Sequence, residues 1–228
     1  MVMKPVKTGT SGPQKSFIAA SQIPFGALVV RAGANTVKAA TAADDECILG
    51  VAVDDQVQHS VDGFYAAGDV VPIIISGTAR LWTRGVSVSL IAGDFVEVAS
   101  VGGGSTTIPH GIVEEAGSAA GETYTVTTVA KLMEDLTIGA GGGKAVASNV
   151  SVGDTTVTLS GADMTALNLS VGDYILMDDN GGNAAVNRVK SKTATVITLV
   201  QPATVAMTAA GGSDLVYKMY QAEALLLK

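Results

Sequence analysis

The sequence predicts an all-β fold, two small β-barrel or sandwich-like domains joined by a glycine-rich linker, and three observations carry that prediction. Short Val, Ile and Thr-rich runs are punctuated by Gly or Pro at intervals of roughly eight to fifteen residues, the spacing of strands and turns. Hydrophobic residues make up 47% of the chain while aromatics make up only 4%, a composition of small side chains that is too apolar to stay disordered. A run of Gly139, Ala140, Gly141, Gly142 and Gly143 then separates two series of such strands. At 228 residues the chain is long enough for one large β domain or two of ordinary size.

Strands are expected over residues 27–30, 36–40, 48–53, 70–75, 78–82, 95–99, 111–115 and 124–131, and in the second series over 155–159, 174–177, 184–189, 195–199 and 215–220. Residues 163–169 alone favour a helical turn. The resulting division is an N-terminal basic arm over 1–15, a first β domain over 16–138, a linker over 139–147 and a second small barrel over 148–228. One phrase recurs through both series: a small or apolar residue, a glycine, an acid, then alternating apolar positions. It occurs at Ala67-Gly68-Asp69, Ala92-Gly93-Asp94, Ala120-Gly121-Glu122, Val152-Gly153-Asp154 and Val171-Gly172-Asp173. Each copy reads as a turn that launches a strand: glycine takes positive φ without a Cβ clash, and the acid accepts a hydrogen bond from a nearby backbone N–H. The irregular spacing of the copies argues against a solenoid.

Charge is uneven. Residues 1–43 hold five basic side chains and no acid, a formal +5, residues 44–143 sum to −11 and residues 144–228 to −1, giving the net −7. A middle this acidic argues against a general nucleic-acid binder, because phosphate contacts need a basic face. The longest uncharged apolar runs fall far short of the roughly 18 residues of a membrane helix, and residues 1–17 show no apolar export segment. One cysteine, Cys47, cannot close an internal disulfide, and His59 and His110 cannot assemble a multi-ligand zinc site. No cofactor or metal is expected.

The search for catalytic chemistry points the same way. The strained Gly-x-Ser-x-Gly elbow of a serine hydrolase does not occur. The stretch at Gly139 to Lys144 misses the phosphate-loop pattern, with Ile138 where the first Gly belongs and Ala145 where Ser or Thr belongs. The acidic pairs Asp44-Asp45-Glu46, Asp54-Asp55, Glu114-Glu115 and Asp178-Asp179 are neighbours in sequence, so in strands they face opposite ways and read as solvated turn acids. Asp178-Asp179-Asn180-Gly181-Gly182-Asn183 is oxygen-rich but departs from the calcium-loop spacing and reads as a hairpin turn. His59 and His110 read as exposed loop histidines, Cys47 as a small buried residue, and Trp82, Tyr65, Phe64 and Phe95 as core rather than a sugar-stacking platform.

An ordered series of phrases over residues 16–133 resembles the phage capsid cement and head-decoration proteins. It runs from Ile23-Pro24-Phe25-Gly26-Ala27-Leu28 through Ile48-Leu49-Gly50-Val51-Ala52, Ala67-Gly68-Asp69-Val70-Val71-Pro72-Ile73 and Ser76-Gly77-Thr78-Ala79. It closes with Ile91-Ala92-Gly93-Asp94-Phe95-Val96, His110-Gly111-Ile112-Val113 and Ala120-Gly121-Glu122-Thr123-Tyr124. His110 stands where the family carries an apolar residue, and residues 56–63 read as an extended loop. Residues 148–217 are similar to a small β-barrel module common in phage structural proteins, of tail as well as head. The resemblance implies a non-enzymatic virion protein of the bacteriophage outer capsid surface, made in the host cytoplasm. It implies a homotrimer bound to the major capsid protein, with no direct contact to nucleic acid or membrane. The alternative is a tail, baseplate or adhesin component. Lys4, Lys7 and Lys15 are the candidate contacts of a basic arm that orders against an acidic shell; the other reading of that segment is a frayed terminus.

Overall fold

The structure, a computed structural model, describes residues 13–53, 62–84, 89–99, 110–115, 128–137 and 142–227. It is all β, with one short helix among the described residues. The first barrel, A, contains β1 (Gln14–Ala19), β2 (Ile23–Pro24), β3 (Leu28–Arg31), β4 (Thr36–Ala39), a 3-10 turn (Ala42–Cys47), β5 (Ile48–Ala52), β6 (Phe64–Tyr65) and β7 (Val70–Ile74). Five of these strands close in the order β1-β4-β3-β5-β7, with β1 parallel to β4 and the other pairs antiparallel. Ala19, Val29, Val37, Ala52, Val71 and Ile73 form its core with Phe25 and Tyr65.

Next come β8 (Gly77–Arg84), β9 (Ser89–Leu90), β10 (Phe95–Val98), β11 (Val113–Glu115), β12 (Ala130–Leu132) and β13 (Leu136–Thr137). The remainder comprises β14 (Lys144–Ala145), β15 (Thr156–Thr158), α1 (Gly161–Leu167), β16 (Tyr174–Asp178), β17 (Ala184–Lys192), β18 (Val196–Leu199) and β19 (Leu215–Leu226). Barrel C runs β14-β19-β16-β17-β18-β15 and is joined back to its start by the Val146–Leu159 bridge. The expected helical turn is α1, capped by Ser160, whose hydroxyl accepts from the Asp163 N–H, and ended by Asn168 in the left-handed region.

The twelve-residue β19 serves two barrels. Leu215 to Lys218 pair with β16 in barrel C, whereas Met219 to Leu226 pair without interruption with β8, and Ala224 to Leu226 also with β12. The pairings β12-β10-β11-β8-β19 therefore return to β12 and enclose a second five-stranded barrel, B. The all-β fold of small barrels that the sequence predicts is thus present, and among the described residues three closed sheets, A, B and C, make it up. The expected linker over 139–147 is correspondingly shorter. Residues 138–141 lie outside the described residues, but Lys144 and Ala145 already pair with β19. Residues 219–226, expected in the second domain, complete the first. The arm over 1–15 likewise ends earlier than expected, because Gln14 and Lys15 pair with Ile74 and Ile73.

Barrels A and B share a core. Leu28, Val29 and Val30 are all buried: Val29 points into barrel A, while Leu28 and Val30, with Val51 and Ile74, cluster with Leu81, Val96, Val113, Ala222 and Ala224 of barrel B. A strand covered on both faces reads as a continuous apolar run, which explains why this segment shows no alternation.

Candidate functional site

Four of the five expected glycine-acid turns lie in the described residues, and they are built alike. In each, the Asp backbone N–H donates to the carbonyl three residues earlier at 3.1 Å (Asp69 to Ala66, Asp94 to Ile91, Asp154 to Ser151, Asp173 to Ser170). The Asp Oδ2 accepts the N–H of that same residue at 2.6, 2.9, 2.7 and 2.7 Å. Glycine at the third position has φ between +91° and +105°, as a type II turn requires. Each Gly N–H donates to a neighbouring segment, to the carbonyls of Ala19, Leu132, Ala203 and Val189. These acids bond backbone and hold turns together, and Asp173 Oδ2 also pairs with Lys218 Nζ at 2.9 Å. The fifth copy, at Ala120-Gly121-Glu122, lies outside the described residues.

Among the described residues, Asp44, Asp178 and Asp179 likewise accept backbone hydrogen bonds. Asp179 Oδ1 accepts from the N–H groups of Gly181 and Asn183, and its Oδ2 accepts from Asn183 Nδ2. Slight burial opposes ionisation, but those donors hold the carboxyl below its ordinary value. The loop is the turn between β16 and β17. Asp44 caps the 3-10 turn: Thr41 N–H and hydroxyl donate to its Oδ2 at 3.0 and 2.8 Å, with Lys38 at 3.5 Å. Partial burial pushes this carboxyl up, and the Thr41 bonds and Lys38 charge outweigh it, so its pKa is lowered. Glu114 pairs with Arg84 at 3.2 Å. Asp54, Asp55 and His59 lie outside the described residues.

Two expectations are corrected. Cys47 is exposed, not buried, because it ends the 3-10 turn at the surface. His110 is buried, with only 2% of its surface accessible, where an exposed loop histidine was expected. It is pinned by its own backbone: the N–H groups of His110 and Gly111 both donate to the Ala40 carbonyl, at 3.1 and 3.0 Å, and the Gly111 carbonyl accepts from Leu28. Its Nδ1 accepts the Ile112 N–H at 3.0 Å, which leaves the proton of the neutral ring on Nε2. Nε2 is buried and meets no hydrogen-bond partner of ordinary geometry among the described residues. Burial pushes the imidazole down to about 4, against the nearby Ala99 carbonyl and with the Arg84 charge adding to the depression.

The aromatic residues go to the core, as expected for Tyr65, Phe64 and Trp82, all buried. Phe95 is half-buried at the surface with Lys131 Nζ 5.4 Å from its ring centroid. The arrangement that sequence reasoning missed is the seam they build. Phe64, Trp82, Ala99 and Ile112 from barrels A and B form one buried cluster with Tyr174, Leu176 and Met219. The Tyr174 ring lies 4.8 Å from that of Trp82 and 5.7 Å from that of Phe64, and its hydroxyl donates to the Gly63 carbonyl. Trp82 Nε1 donates to the Phe25 carbonyl at 2.5 Å. Gly63 is obligatory here, because a Cβ would sit 2.2 Å from the Tyr174 hydroxyl oxygen and the backbone φ is +79°. Arg188 stacks over Tyr174 and donates from Nε to the Gly172 carbonyl at 2.9 Å, tying the seam to a glycine-acid turn. One signal pointed to it: all five residues of β16 are buried, and its sequence Tyr-Ile-Leu-Met is unbroken apolar, as for a strand covered on both sides.

Of the arm residues, Lys15 is exposed on β1, and Lys4 and Lys7 lie outside the described residues. Among the described residues no helix is long and apolar enough to cross a membrane. No protein-family model matches the sequence, and no curated protein matches it.

Proposed function

We propose that this chain is a structural virion protein, a capsid decoration or cement protein that binds the outer surface of the major capsid protein lattice and stabilises the head. The observation that carries the reading is the fusion of three small barrels into one body, through the core shared by A and B and the seam to C. A clamp across neighbouring shell subunits must transmit load without yielding, and a body with buried apolar contacts between its barrels does so better than beads on a linker. The phrases of the resemblance fall where that body is built, at the turns over 66–69 and 91–94 and at the segment 110–113 between barrels. The polar clusters support the same reading, since the carboxylates of Asp44, Asp69, Asp94 and Asp179 are spent on backbone hydrogen bonds.

Attachment as a homotrimer multiplies a modest contact, on the order of 1,000 Å² per subunit, because three linked contacts must release together. The test is quantitative mass spectrometry of purified particles, comparing this chain with the most abundant shell protein before and after a high-salt wash. Retention near the abundance of the shell protein is the expected result. A few copies per particle would indicate a tail, baseplate or adhesin component instead, and absence from particles would overturn both.

A further inference from the structure

We propose that Asn180, at the tip of the hairpin between β16 and β17, is a site of spontaneous covalent modification, deamidation by water, and that Asp179 holds it in check by binding the proton of the attacking backbone nitrogen. The reaction needs an asparagine amide within reach of solvent and a following backbone nitrogen free to approach it, which glycine, having no Cβ, allows best. Of the six asparagines in the chain only Asn180 precedes a glycine; the others precede Thr36, Val150, Leu169, Ala184 and Arg188. Asn180 and Gly181 are both exposed, and Asn180 stands in the left-handed region at φ +49°. The Asn180 N–H donates to Asp178 Oδ1 at 2.8 Å, while its side-chain amide has no hydrogen-bond partner among the described residues.

Water is the sole co-reactant, and nothing is oxidised or reduced. The Gly181 nitrogen gives its proton to solvent base and attacks Asn180 Cγ; the N–Cγ bond forms, the Cγ–Nδ2 bond breaks, and the amide group takes a proton from solvent and leaves as ammonia. Water then opens one of the two imide C–N bonds of the resulting succinimide, giving aspartate or isoaspartate. The structure opposes this sequence at its first atom, because the Gly181 N–H donates to Asp179 Oδ1 at 2.8 Å. Asp179 is itself fixed: Oδ1 also accepts the Asn183 N–H at 2.8 Å, and Oδ2 accepts Asn183 Nδ2 at 2.7 Å. An amide bonded to a carboxylate keeps its proton, and its nitrogen stays aimed at Asp179 rather than at Asn180 Cγ. Conversion adds a negative charge beside Asp178 and Asp179. In the isoaspartate form it also lengthens the link from residue 180 to Gly181 by one carbon, shifting the Gly181 N–H away from Asp179. This inference does not rest on the virion reading, since the hairpin lies within barrel C.

The test incubates the full chain and its variants at mildly alkaline pH and follows amide-to-acid conversion and isoaspartate at each asparagine by peptide mass mapping. The parent should convert slowly, and at Asn180 ahead of the other asparagines. Asp179→Ala should convert there about tenfold faster, the effect of losing one charge-assisted hydrogen bond. Asp179→Asn keeps the shape with a neutral acceptor and should fall between the two. Asn183→Ala removes the bond to Asp179 Oδ2 but leaves the one between Gly181 and Oδ1, so it should stay near the parent rate. Gly181→Ala should suppress conversion even alongside Asp179→Ala; the hairpin accepts it, because the added Cβ would come no closer than 3.5 Å to its nearest neighbours, all atoms of Asp179. Equal rates in the parent and Asp179→Ala overturn the guarding role, as does an equal acceleration by Asn183→Ala, which would trace to a loosened loop. Conversion at Asn180 no faster than at Asn183 in Asp179→Ala overturns the site itself. Should Asp179→Ala lack the Trp82 emission of the parent, Asp179→Asn carries the same comparisons.

Discussion

Barrel C and barrel B are both small closed sheets, yet they close differently. Barrel C is assembled from strands that follow one another between Lys144 and Lys218, whereas barrel B takes four strands from residues 77–132 and its fifth from Met219 to Leu226. Closure of barrel B is therefore a long-range event in the chain, and through the core it shares with barrel A its stability reaches the N-terminal strands as well. The sharpest way to break the comparison is Ala224→Asp. Ala224 is fully buried between β8 and β12, and an unpaired carboxylate there costs about 3–5 kcal/mol. Barrels A and B should lose most of their cooperative unfolding in urea, read by the single tryptophan, Trp82, while far-ultraviolet dichroism retains a transition from barrel C. A single transition shifted as a whole would show instead that the three barrels unfold as one unit.

Next in size is the pH dependence set by His110 at the junction of barrels A and B. Its folded pKa is lowered from 6.5 to about 4, so between those values the unfolded chain binds a proton that the folded chain refuses. Stability contributed by the neutral ring is complete above pH 6.5 and is lost as pH falls through that window, by about 3 kcal/mol in total at 1.4 kcal/mol per unit. Thermal melts from pH 7 to 4 should show this decline. His110→Asn places an acceptor near the position of Nδ1 for the Ile112 N–H and does not titrate, so its melts should decline less over the same range. Equal slopes for both proteins would assign the acid sensitivity elsewhere.

Tyr174→Phe tests the seam with a smaller change. The ring and its contacts with Trp82 and Phe64 remain, but the buried Gly63 carbonyl loses the hydroxyl that donates to it. The cost should be about 1–3 kcal/mol, with a change in Trp82 emission because the two rings touch. An unaltered stability would mean that the Phe25 N–H, which donates to the same carbonyl at 3.2 Å, satisfies it alone and that packing joins barrel C to the rest.

The strands were legible because their apolar runs and turn signals are local. Residues 48–53, 70–75 and 184–189 each contain or overlap the strand found there. β1 was missed because Gln14, Lys15 and Ser16 read as a polar tail, and only their pairing with Pro72, Ile73 and Ile74 makes them a strand. β19 was read too short for a related reason: Gln221 and Glu223 interrupt its apolar run, and nothing local reveals that Ala222, Ala224 and Leu226 alternate into another barrel. His110 was misplaced because Pro109 and the glycines before it signal a loop, while its burial depends on Ala40 and Leu28, roughly seventy to eighty residues earlier. The seam was invisible in the same way, since it joins Gly63 to Tyr174 across 111 residues.

What was most legible was the repeated turn, and it supports the smallest and most uniform prediction. At Gly68, Gly93 and Gly153 a Cβ would meet nothing within 4 Å, so glycine is required there by φ and not by space. Gly153→Ala should therefore cost only the left-handed backbone penalty, about 1–2 kcal/mol, and Gly68→Ala and Gly93→Ala should cost the same although they lie in barrels A and B. At Gly172 the added methyl would meet the Arg188 guanidinium at 3.4 Å, an ordinary contact with the end of a flexible side chain, so that substitution should cost the same backbone penalty. Urea unfolding of the four alanine variants checks this. Four equal shifts would show that the turns are interchangeable units of all three barrels, while a spread among them would tie each turn to its own surroundings.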